Sequence, residues 1–178
     1  MNTILRLAVC LVFLSISNVN CQSKMVSIKG GEYIPLYGRD SMKVVIKDFQ
    51  MDVYPVTNQQ FIAFVKENQK WRKSKAIRLF VDKSYLYQKL NSPVTNVSWF
   101  AAKGYCKSKG KRLPSVDEWE YVAMANKIMP DARRQKSYNA YILGWYEKPK
   151  TYNQTIGSTF KNYWKVYDLH GLVWEWTS

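Results

Sequence analysis

Residues Pro93–Ala125, PVTNVSWFAAKGYCKSKGKRLPSVDEWEYVAMA, carry enough local signal to be read as two short helices joined by an elbow. Ser98 is placed to cap a helix from about Trp99 to Lys109, because its hydroxyl can accept an otherwise unpaired first-turn N–H. Gly110 supplies the stop. Lys111-Arg112-Leu113-Pro114 forms the elbow, and Ser115-Val116-Asp117-Glu118 is a capping box in which the Ser and Glu side chains each satisfy the other residue's backbone donor. The spacing therefore starts a second helix at Val116. On it Trp119, Val122 and Ala123 share one face, and Asp117 and Glu118 sit in the first turn, where the helix dipole favours negative charge.

Upstream, Pro55-Val56-Thr57-Asn58 leads into another capping box, Thr57 to Gln60, with Phe61, Phe64 and Val65 as the buried stripe of a helix to about Glu67. Met25–Pro35 alternates and meets the pair Gly30-Gly31, which predicts an opening strand and a hairpin turn there. Val44–Tyr54 is a second extended run. Ile77–Val81 reads as a strand within an exposed connection from Trp71 to Leu90. Asn126–Lys150 has little periodicity, and its Tyr138, Tyr141, Trp145 and Tyr146 either line a groove or pack beneath a long loop. Downstream, Val166–Thr177 reads VYDLHGLVWEWT, in which Val173-Trp174-Glu175-Trp176 alternates like a strand and puts both indoles on one face.

The chain of 178 residues has a formal charge of +14, with 47% hydrophobic and 15% aromatic residues. That composition supplies one domain with a real core and gives no sign of a second. Seven Trp and thirteen Tyr suit a loop-rich fold pinned by large side chains better than a regular bundle. The basic residues concentrate in 66–78, 103–112 and 127–136; they make either a solvated basic surface or a site for acidic glycans or an anionic membrane. Nucleic acid is not an expected partner, because the N-terminus reads as an export signal.

That signal covers residues 1–21: Arg6, an apolar run from Leu7 to Leu14 too short to span a membrane, then Ser15–Cys21. Cleavage after Cys21 leaves 22–178 as the domain; the alternative makes Cys21 a lipidated terminus. Either way the product is exported, whether periplasmic, outer-membrane-associated or secreted. Cys10 goes with the leader and Cys106 is left without a disulfide partner. Cys106 reads as a small buried hydrophobe, with a catalytic thiol as the alternative. Asn96-Val97-Ser98 and Asn153-Gln154-Thr155 match the glycosylation pattern.

The PV-x-x-VSW…YC…GKRLP-x-x-x-EWE run of 93–120 resembles the signature of the sulfatase-modifying-factor, or formylglycine-generating-enzyme-like, family. Val166–Thr177 is similar to that family's LYDM-x-GNVWEWT motif, and Pro55–Asn58 to its EVTN entry. The resemblance implies an α+β, loop-rich fold of the C-type-lectin-like type, with short helices on small antiparallel sheets. It also implies a domain that continues beyond the WEWT block, so the chain is expected to be a truncated member. In the family, a later section carries two cysteines that hold copper and oxidise a sulfatase cysteine to formylglycine. Those cysteines map onto no residue here. The expected function is an exported protein of this family whose intact parent oxidises sulfatases; the alternative is a non-catalytic binding or accessory module for a partner protein or an acidic glycan.

Asp168 and Glu175 are hard oxygen ligands flanking the Gly171 turn, of the kind calcium combines with backbone carbonyls. The resemblance maps a structural calcium site onto the Asp168 side chain, the Gly171 and Val173 carbonyls and the Glu175 side chain, with Leu172 standing where the family usually has Asn. The alternative pairs Glu175 with Arg112 and needs no metal. No catalytic or cofactor-binding residue is assigned. His170, the only histidine, is read as structural or solvent-exposed, which argues against a histidine-rich iron centre.

Overall fold

A computed structural model describes residues 24–36, 42–72 and 89–178. Four strands come first: β1 (Met25–Ile28), β2 (Gly31–Tyr33), β3 (Val44–Ile46) and β4 (Phe49–Asp52). β1 pairs antiparallel with β4 and β2 with β3. Met25 lies opposite Asp52 and Tyr33 opposite Val44 in one unbroken register. The expected reversal at Gly30-Gly31 is therefore absent. The glycines sit within one long arm of a ribbon, and the chain returns between β2 and β3. Gly30 is required by closeness: a Cβ there would lie 2.1 Å from the Ile46 carbonyl oxygen. Its N–H donates to Asp48 at 2.9 Å, which bridges the gap between the two ladders.

The helices are α1 (Asn58–Glu67), α2 (Trp99–Ser108), α3 (Val116–Ala123) and α4 (Lys136–Tyr146). The first three start where their caps predict. Thr57 with Gln60 and Ser115 with Glu118 form complete capping boxes, and the Ser98 hydroxyl accepts from the Ala101 N–H. Gly110, at φ +68°, follows α2 in the left-handed conformation that glycine adopts without strain. Residues 73–88, which include the expected strand Ile77–Val81, lie outside the described residues.

Two cores hold these pieces. Ile28, Tyr33 and Ile46 of the ribbon pack on Tyr121, Val122 and Ala123 of α3, with Val166 and Leu169 closing the cluster. Phe61, Phe64 and Val65 of α1 meet Ala101 and Tyr105 of α2 in the second. Each fully buried Phe contributes roughly 2–3 kcal/mol by removal from water. A bridge between Thr57 and Pro93 joins the entry to α1 with the run that leads into α2. The architecture is α+β, with small antiparallel ladders and short helices.

α4 falls where the sequence shows little. No side chain caps it, and its buried face rests on Tyr138 and Trp145, seven residues apart. Tyr141 and Tyr146 are exposed, so the four aromatics do not line one groove. Tyr138 explains the burial of its side, donating its hydroxyl to the Ala123 carbonyl at 2.6 Å.

Candidate functional site

The closing block, Val166–Ser178, lies across the elbow and the starts of α2 and α3. Its turn depends on Gly171, at φ +111°. A Cβ at this position would also come within 2.6 Å of the Trp145 ring. The indole of α4 is thus the surface on which the turn rests. His170, just before it, donates from Nε2 to the Ala123 carbonyl at 2.9 Å; a carbonyl can only accept, so Nε2 carries the hydrogen. Its ring stands edge-on to Trp119 and Tyr138, and burial pushes the imidazole below its ordinary range. His170 is structural.

Asp168 is 1% exposed. One carboxylate oxygen accepts the Thr159 N–H at 3.0 Å and the Thr159 hydroxyl at 2.9 Å. The other accepts the Gly157 N–H. Asp168 itself adopts a positive φ of 62°, which Asp tolerates better than bulkier residues.

Beyond the turn, the block is tied down largely by indoles. The Trp119 Nε1–H donates to Glu175 Oε2 at 2.6 Å. The Trp99 Nε1–H donates to the Thr177 carbonyl at 2.8 Å, and the Trp176 Nε1–H to the Val97 carbonyl at 2.9 Å. The Ser178 N–H reaches the Pro114 carbonyl at 2.8 Å. Residues 173–178 form no strand, although exposure alternates along them as the sequence pattern expects. Glu175 is half-buried. Burial raises its pKa to about 7; the Trp119 hydrogen bond opposes that rise and the Asp168 charge adds to it.

Arg112 does not pair with Glu175. Its guanidinium grips Glu118 through two hydrogen bonds of 2.6 Å, because Glu118 on the first turn of α3 is six residues away and already turned back by the capping box. The two shifts agree in sign: the Glu118 bond raises Arg112, and the Arg112 bond holds Glu118 below the usual carboxylate range. Lys111 pairs with Asp52 of β4 at 2.6 Å. Beneath them Cys106 packs against the second core, and burial pushes its thiol up, with the Asp52 charge adding to the effect. A deprotonated nucleophile is disfavoured there.

Above these pairs lies an open groove of about 1520 Å³ whose aromatic lining includes Trp71, Trp99, Phe100, Tyr152, Trp174 and Trp176. Trp174 is 91% exposed, Phe100 68% and Trp176 48%. Apolar rings exposed together at this scale mark a contact surface more often than a solvated face.

The structure brings Asp168, Gly171, Val173 and Glu175 into one block, with the two carboxylates close enough for Asp168 to act on Glu175. The two side chains among them are already engaged. Both Asp168 oxygens face N–H or O–H dipoles, and Glu175 has accepted an indole. Among the described residues no three His, Cys, Asp or Glu side chains gather in a cluster. Sequence reasoning missed Trp119 as the partner of Glu175 and Thr159 as the partner of Asp168. A tryptophan on the buried face of α3 was visible, but its N–H required an acceptor that only the fold identifies.

Residues 14–178 match the sulfatase-modifying factor enzyme 1-like domain. Among curated proteins, the chain is 28% identical over 214 residues to the inactive C-alpha-formylglycine-generating enzyme 2 of Bos taurus, covering 86% of this chain and 70% of that one. It is 30% identical over 175 residues to the serine/threonine-protein kinase pkn1 of Chlamydia pneumoniae, covering 86% of this chain but 27% of the kinase. With the formylglycine-generating enzyme of Mus musculus the identity is 31% over 110 residues, covering 54% of this chain and 29% of the enzyme.

Proposed function

The chain belongs to the sulfatase-modifying-factor family, and on that footing we propose that it acts as an exported binding module that receives an extended segment of a partner polypeptide in its aromatic groove. The exposed indoles of Trp174 and Trp176 are the observation that carries this reading. They line the groove together with Phe100, and the backbone from Val173 to Thr177 donates no N–H to another described residue. An extended peptide can satisfy such donors while its side chains pack between rings. A sulfatase segment is the first candidate, since the family acts on sulfatase cysteines.

Oxidation of that cysteine is not assigned to these residues. Copper held by thiolates requires exposed, readily ionised cysteines. Cys106, the free cysteine described, is partly buried with its pKa raised, so it does not fit the role. The bovine relative is named as an inactive enzyme, which is in keeping with a binding role.

The test uses a fluorescent sulfatase-derived peptide containing the cysteine, incubated with the full chain, copper(I) and a thiol reductant. Anisotropy should rise on binding, and mass spectrometry should find the cysteine unconverted. Conversion to an aldehyde would overturn the non-catalytic part, and no binding to any sulfatase peptide would overturn the partner. Retention of heparin in place of peptide would instead support an acidic glycan at the Lys70–Trp71 and Lys103–Trp99 pairs.

A further inference from the structure

The geometry points to Asp168 as an internal hydrogen-bond anchor that takes the place of the family's calcium in holding the closing block. The inference concerns the block's architecture and stands apart from the binding reading. Calcium takes six to eight oxygen ligands and needs lone pairs turned toward it. Here the Asp168 carboxylate faces the Gly157 N–H, the Thr159 N–H and the Thr159 hydroxyl. Three positive dipole ends already surround the two oxygens, so a divalent cation there would have to displace them or face their repulsion.

The neighbouring positions agree. Leu172, where the family usually has Asn, is 3% exposed and packed apolar, so it contributes no side-chain oxygen. Its carbonyl accepts the Thr151 hydroxyl at 2.9 Å. Glu175 Oε2 accepts the Trp119 indole N–H. What a bound ion does by drawing loops together, Asp168 does by hydrogen bonds, joining the 157–159 loop to the residues just before the Gly171 turn. A buried carboxylate with several donors is charge-assisted and correspondingly strong.

Thermal unfolding of the full chain in millimolar calcium and in excess EDTA tests this, with Asp168→Asn, Thr159→Ala and the double variant beside the parent. The expected result is one melting temperature for the parent in both conditions. Asp168→Asn puts an amide among N–H donors and should lower it by roughly 5–10 °C, equally with and without calcium. Thr159→Ala removes one donor and should lower it less, and the pair should be non-additive. Should Asp168→Asn fail to fold, Thr159→Ala read in calcium and in EDTA still decides. A calcium-dependent rise in the parent that Asp168→Asn abolishes would overturn the inference. So would tryptophan-sensitised terbium emission that calcium displaces and that variant loses, or a Thr159→Ala melting temperature equal to the parent's. A calcium-dependent rise that survives Asp168→Asn would overturn it as well, because an Asn carbonyl can still ligate calcium.

Discussion

Replacing Glu175 by Gln should change how stability depends on pH. The native carboxyl has a pKa of about 7, against an ordinary value of 4.5 in an unfolded chain. Between those values the folded state holds a proton that the unfolded state has released. Stability is therefore greatest below pH 4.5 and falls as pH rises to about 7, after which the loss is complete. A gap of about 2.5 pH units corresponds to about 3 kcal/mol. A glutamine amide keeps an oxygen to accept the Trp119 N–H and cannot ionise, so the Glu175→Gln variant escapes this loss. Urea unfolding of parent and variant at pH steps from about 4 to about 8, followed by tryptophan fluorescence, gives the difference directly, since other titrating groups cancel. Relative to the parent, the variant should gain about 3 kcal/mol across that range. A difference independent of pH would refute the enclosure of the Glu175 carboxyl.

Three stability predictions follow from the same contacts. Trp119→Ala removes a ring packed on the first core and the donor to Glu175; it should cost about 3–5 kcal/mol by denaturant unfolding. Gly171→Ala combines a positive φ with a Cβ 2.6 Å from Trp145, so it should cost about 2–4 kcal/mol, and should cost less when made in a Trp145→Ala background. Ser115→Ala removes the hydroxyl that accepts the Glu118 N–H in the capping box of α3, at a cost of about 1 kcal/mol.

Local chemistry made much of this fold legible. Thr57, Ser98 and Ser115 each accept the backbone N–H three residues on, so the helix starts could be read within a window of four residues. The Gly30-Gly31 pair misled because glycine serves both turns and close approach, and here the Ile46 carbonyl, sixteen residues away, decides between them. α4 was obscure because it lacks a cap and takes its buried face from Tyr138 and Trp145, which find their partners in Ala123 and Gly171. The candidate site divides in the same way. Its residues were identified by type and spacing, but their chemistry was not. Whether Asp168 meets a cation or N–H donors depends on Gly157 and Thr159, and whether Glu175 meets Arg112 or Trp119 depends on Arg112 being engaged by Glu118.

Hydroxyl-radical footprinting of the chain with and without a sulfatase-derived peptide tests the groove reading most directly, because Trp174 is 91% exposed and reacts readily when free. If an extended partner segment lies in the groove, oxidation of Trp174 and Trp176 should fall several-fold while that of exposed Tyr141 stays the same. Unchanged oxidation of both indoles under conditions where the peptide is bound would place the partner on another face and contradict the account.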